Sequence, residues 1–261
     1  MSLPTASPAS STDSEPILTP ASTAPNTIPT STAPPISAPR AASNLQTPGS
    51  SNPRPLHEGP LLNPPSSLSS SLLSIHRLLI PLPSVPAPPT RSVTLILRDM
   101  GGVAYTTSTD LDVDHKEIHL SLSYVAGVKP RERVGREIEG VLAHELVHCY
   151  QYNGKGKCPG GLIEGIADWV RLRCELAPPH WKRDETKSER KSKRWDRGYD
   201  CTAYFLDHLE ETFGRGTVAR INGRLRTAEY DEGEFWPGLF EASVEELWED
   251  YCCAGAGDDD E

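Results

Sequence analysis

His144 and His148 stand four residues apart in "LAHELVH", and Glu164 and Asp168 stand four apart in "LIEGIAD". On a helix, residues four apart are separated by about 400° of rotation, so each pair projects from one face, one turn apart. Two imidazoles placed this way can share one cation. Glu145 is offset from His144 by about 100°, beside such an ion rather than on it, where its carboxylate can take a proton from bound water. Zinc suits the pair, because it accepts imidazole nitrogens and brings the pKa of its water down to about 7. A catalytic zinc needs a third protein ligand, and Glu164 arrives in the first turn of the next expected helix. Asp168, on the same face, is placed to accept the Nδ1 proton of a ligating histidine and fix its tautomer.

Two plainer readings compete. The motif alone fits an amphipathic helix with two surface histidines, although two carboxylates on the inner face of "LIEGIADWVRL" are costly to bury without a cation. Cys158, in the connection between the helices, could also reach the ion, and a thiolate there would close the site and make it structural. Cys149 lies about 140° from His144 around the helix and does not reach.

The elements expected to position these groups are a few strands followed by helices. "SVTLILRDM", "GVAYTTST" and "KEIHLSLSYV" read as strands, the third with Ile118, Leu120 and Leu122 on one face and His119, Ser121 and Ser123 on the other. From Arg131 the apolar period becomes helical, with Val134, Ile138, Val141, Leu142 and Leu146 on one face, as far as Asn153-Gly154. A second helix starts after Pro159-Gly160-Gly161 and runs to the prolines at 178 and 179, with Gly160-Gly161 giving the chain freedom to reverse. "GYDCTAYFLDHLEETF", "TVARINGRLR" and "SVEELWEDYC" are further helices. The order implies an α+β fold, a small mixed sheet followed by a helical half.

Of the chain's 25 prolines, 20 fall in residues 1–90, a span without Phe, Tyr or Trp. Such a Ser/Thr/Pro/Ala-rich tract buries too little apolar surface to offset its ordering entropy, so 1–90 is expected to be a disordered arm. The folded domain is then 91–254, with 255–261 as an acidic tail. The arm's charges nearly cancel, and the net charge of -10 belongs to the domain. An acidic domain argues against nucleic acid as a partner. The basic run Lys182–Arg194 reads as a solvated loop. "SLLSIHRLLIPLP" is too short to span a bilayer, so no membrane association is expected. The opening residues lack a basic and an apolar region of the secretory kind, which points to an intracellular protein with free thiols.

The run "HELVHCYQYNGKGKCPGGLIEGIADWVRL", followed by "PPHW" and "RWDRGYDCTAYFLDHLE", resembles the plant basic secretory protein family, which also has fungal members. The resemblance covers about Val93 to Tyr251, and the chain departs from it in its acidity, in opening residues unlike a secretory leader and in its Ser/Pro-rich arm. It implies a zincin-like metallopeptidase of the glutamate-ligand type, with zinc on His144, His148 and Glu164, Glu145 as base, a peptide or protein substrate, and secretion. For the donor that steadies the oxyanion, Tyr199 in "RWDRGYD" is the choice, since a phenol donates without carrying charge. His180 and His208 are alternatives, and Tyr199 as a ring packed with a wet hydroxyl is another. The strand "EIHLSLSY" is expected at the open edge of the sheet, where an extended peptide would pair. A metal-retaining binding or defence-associated protein with little turnover, and a hydrolase of a non-peptide bond, are the rival functions. Oligomeric state has no signature in the sequence.

Overall fold

Three short β-rich segments become β1 (Ser92–Arg98), β2 (Ala104–Thr109) and β3 (Asp112–Ser121) in the computed structural model, which describes residues 64–81, 86–183 and 186–254. They form one mixed sheet of order β1-β3-β2, with β3 parallel to β1 and antiparallel to β2. The strand expected at the open edge is therefore the central one. Its alternation misled because the polar face is covered rather than solvated. His119 and Ser121 are 6% and 0% exposed. The Ser121 hydroxyl donates to the Met100 carbonyl at 2.8 Å, and the His119 ring stacks on Tyr105 with centroids 4.5 Å apart. The chain also leaves the sheet earlier than the pattern implied: Ser121 caps α2 (Leu122–Gly127) by accepting from the Tyr124 amide. Among the described residues the edge facing the helices is β2.

A helix precedes the sheet. In α1 (Pro64–Leu79), Leu68, Leu72, Ile75 and Leu79 recur at helical spacing among the serines, and Ile75 and Leu79 are buried in the core. This corrects the boundary at 90/91, since the packed domain takes in α1. Serine-rich composition concealed the apolar stripe, whose energy comes from tertiary burial rather than propensity. The expected arm up to residue 63 and the acidic tail 255–261 lie outside the described residues. No helix among the described residues is long and apolar enough to cross a membrane.

The helical half is built on α3 (Val134–His148) and α4 (Gly160–Arg173), with α1 packed against both. The chain reverses between them at Gly154, Lys155 and Gly156, whose φ values are 58°, 54° and 83°. Asn153 steadies this turn by accepting from the Gly156 amide. The expected hinge at Gly160-Gly161 is absent, for these glycines already belong to α4.

After α4 comes α5 (Lys187–Lys191), then α6 (Tyr199–Phe213). The basic run is a strap rather than a free loop. Arg190 is buried, donates to the carbonyls of Tyr251, Ala254 and Arg183, and lies over the Tyr251 ring. Lys191, Arg194 and Arg183 pair with Glu249, Asp196 and Asp207. Helices α7 (Thr217–Thr227), α8 (Glu232–Phe235), α9 (Pro237–Phe240) and α10 (Val244–Cys253) complete the core, with Trp236 set edge-on to Trp195 at 5.2 Å.

Gly161 and Gly165 let α4 press onto the start of α6. A Cβ on Gly161 would stand 1.7 Å from the Asp196 carbonyl oxygen, and one on Gly165 would stand 2.3 Å from Thr202 Cγ2. Thr202 cannot give way, because its hydroxyl donates to the Trp195 carbonyl and accepts from the Gly198 amide. Gly165→Ala is expected to cost about 2 kcal/mol through overpacking, read as a lower melting temperature by circular dichroism.

Candidate metal centre

Helices α3 and α4 run antiparallel and are tied at three levels. At one end Gln151 Nε2 donates to the Ile163 carbonyl at 3.2 Å. At the other, Arg171 Nη2 donates to Glu137 Oε1 at 2.9 Å, and both side chains are buried. Gly140 makes room for this ion pair: a Cβ there would meet Arg171 Nε at 2.6 Å. Tyr124 and Arg133 complete the Glu137 cage at 2.9 and 3.3 Å.

Between these ties the candidate ligands converge. His144 Nε2 lies 3.1 Å from His148 Nε2 and 3.1 Å from Glu164 Oε2, while His148 Nε2 is 3.8 Å from Glu164 Oε1. Two ligands each about 2.0–2.1 Å from a tetrahedral ion stand about 3.3 Å apart, so the donor atoms surround a point that zinc would fit. Asp168 Oδ1 accepts from His144 Nδ1 at 2.6 Å, which fixes the tautomer and leaves Nε2 directed at that point. Among the described residues, His144, His148 and Glu164 are the group able to hold a metal ion.

The electrostatics of the cluster fit a cation. Burial disfavours charge on His144, yet Asp168, Glu164 and Glu145 outweigh it and hold the ring's pKa well above the ordinary 6.5. His148 goes the other way, lowered by burial and by the charge on His144. Glu164 is lowered despite burial, through its contacts with the two histidines.

Glu145 is 6% exposed and sits beside the cluster. Thr106, on β2, brings its hydroxyl to 2.7 Å from Glu145 Oε2 and 2.9 Å from the Glu145 carbonyl oxygen. Sequence reasoning missed Thr106, since nothing in "AYTTST" distinguishes one threonine from the next. Pairing supplies the signal: Thr106 faces Ile118, a core residue, so its side chain points at α3.

Tyr199 opens α6 at φ 50°, a left-handed conformation unusual for a tyrosine, and is 45% exposed. The preceding Gly198 packs against Gly161 and the Glu164 side chain, which brings Tyr199 beside the cluster. Burial and the carboxylates of Glu164, Asp168 and Glu145 raise its pKa, so it remains a neutral donor. The other candidates lie elsewhere. Cys158 is outside the cluster and its thiol is pushed up to about 12 by burial, His180 is exposed, and His208 packs on Tyr251.

No curated protein and no solved structure matches the chain. A family model described as a peptidase of plants and bacteria matches residues 42–251. The match takes in α1 as well as the sheet and every group of the cluster. It spans most of the 261 residues, and the chain belongs to this peptidase family.

Proposed function

We propose that the protein is a zinc-dependent endopeptidase whose metal is held by His144, His148 and Glu164. The observation that carries this reading is the convergence of three ligand atoms with Asp168 behind one of them and a buried carboxylate, Glu145, alongside. Zinc, when bound, supplies a Lewis acid that polarises a carbonyl and acidifies water. Glu145 accepts the proton lost by the attacking water and returns it to the leaving amine, for which its place beside the ligands is suited. Tyr199 contributes a neutral hydroxyl to the oxygen that gains charge. Edge strand β2, which has no second strand partner among the described residues, offers its backbone groups to an extended peptide, which orients the substrate with little demand on its side chains.

Purified protein is expected to bind about one zinc per chain. Peptide hydrolysis should stop on chelation and return with zinc. A protein that cleaves peptides equally well after exhaustive chelation, with metal content confirmed at zero, would sink the reading. Asp168→Asn should weaken zinc binding by about 10- to 100-fold, measured by competition with a chromophoric chelator. Because His144 holds its proton above the ordinary range, zinc must displace it, and affinity should climb with pH through neutrality.

A further inference from the structure

We infer that Thr106 is a positioning residue for Glu145, aiming its carboxylate from the same strand residue that meets a bound peptide. The inference rests on the peptidase reading above. The Thr106 hydroxyl has one hydrogen and two acceptors within reach, Glu145 Oε2 at 2.7 Å and the Glu145 carbonyl at 2.9 Å. The carboxylate oxygen is the nearer of the two acceptors, and its distance is that of a short hydroxyl hydrogen bond, so the hydrogen goes there. Threonine is also a stiff donor, because its β-branch restricts χ1.

The strand register gives the contact its second half. Val103 accepts from the Ser121 amide, so the ladder bonds between β2 and β3 recur at Tyr105 and Thr107. The amide and carbonyl of Thr106, opposite Ile118, therefore point to the free edge. One residue thus presents its backbone to the substrate and its side chain to the base, and the distance between scissile carbonyl and carboxylate is set within a single residue.

A structural role competes with this. The last turn of α3 tightens, and the Cys149 amide bonds to Leu146 rather than to Glu145. The Thr106 hydroxyl would then serve the Glu145 carbonyl, and its loss would cost stability alone. Thr106→Val and Thr106→Ser separate the two. Thr106→Val is expected to keep zinc content and KM while kcat falls by about tenfold, the scale on which orienting partners act, and Thr106→Ser should restore kcat. Crystal structures of the zinc-loaded variants should show the Glu145 carboxylate rotated in the valine variant and in place in the serine variant. An unchanged kcat with an unrotated carboxylate in Thr106→Val would overturn the inference, as would a drop in melting temperature with kcat intact. Were the wild-type protein to lack metal-dependent peptidase activity, the reading above would fall, and the rotation of Glu145 would still decide the role of Thr106.

Discussion

Glu145→Gln is expected to leave zinc content and melting temperature near the wild-type values and to lower kcat/KM by about 10²- to 10⁴-fold, the usual contribution of a positioned acid–base group. The side chain is 6% exposed and keeps its shape in the amide, so packing is preserved. What changes is basicity, because an amide cannot accept the water's proton. The Thr106 hydroxyl can still donate to the amide oxygen, so the orientation of the side chain survives as well. Comparing wild type and variant at equal zinc loading isolates the proton transfer. A variant that retains the wild-type rate would assign the base elsewhere and leave Glu145 as a structural acid.

Arg171→Ala is expected to destabilise the protein by about 3–5 kcal/mol, because it leaves the buried Glu137 carboxylate without its principal partner. For a domain of this size the melting temperature should fall by about 10 °C. Burial alone would raise the pKa of Glu137, but the Arg171 hydrogen bond and charge, with help from Tyr124 and Arg133, bring it below its ordinary 4.5. A carboxyl lowered in the folded state contributes stability that is complete above the unfolded value, near pH 4.5, and is lost as the pH falls through the folded one. The wild type should therefore lose stability in acid over that window, and the Arg171 variant should lose less. The double substitution Glu137→Leu with Arg171→Met removes both charges and is expected to recover much of the loss, since an apolar pair of similar size is often neutral. If the single variant melted like the wild type, the tie at this end of α3 and α4 would not be holding them together.

Much of the candidate ligand cluster was legible from spacing because a helix converts sequence separation into angle. His144 and His148 share a face for that reason, and Glu164 and Asp168 share another. That the two faces meet depends on the connection, and there the sequence misdirected: the reversal sits at Gly154 to Gly156 while Gly161 and Gly165 serve close packing. A glycine's type does not reveal whether it is needed for its φ or for its missing Cβ. Strand order was equally hidden. β3 and β2 both carry polar residues, and only pairing shows that His119 and Ser121 are covered while β2 is left at the edge. Thr106 could not be found without that pairing. The α1 stripe was readable in principle, at Leu68, Leu72, Ile75 and Leu79, but the serines and prolines around it outweighed the period.

An edge strand that accepts a peptide also invites a second copy of its own chain. Runs of six or seven residues with high β-propensity, low charge and no proline are the lengths at which such pairing propagates into fibres. β2 has six residues, but its regularly paired part stops short of that length. Its regular pairing extends from Ala104 to Ser108, and the register shifts between Ser108 and Thr109. Asp110 and Asp112 follow at the hairpin, with Lys116 opposite Ser108, so a chain docking beyond the shift meets charge and a twisted backbone. The shift in register thereby limits what can add along β2 to a short stretch of extended backbone, long enough for a peptide segment and shorter than the run that propagates a fibre from this edge.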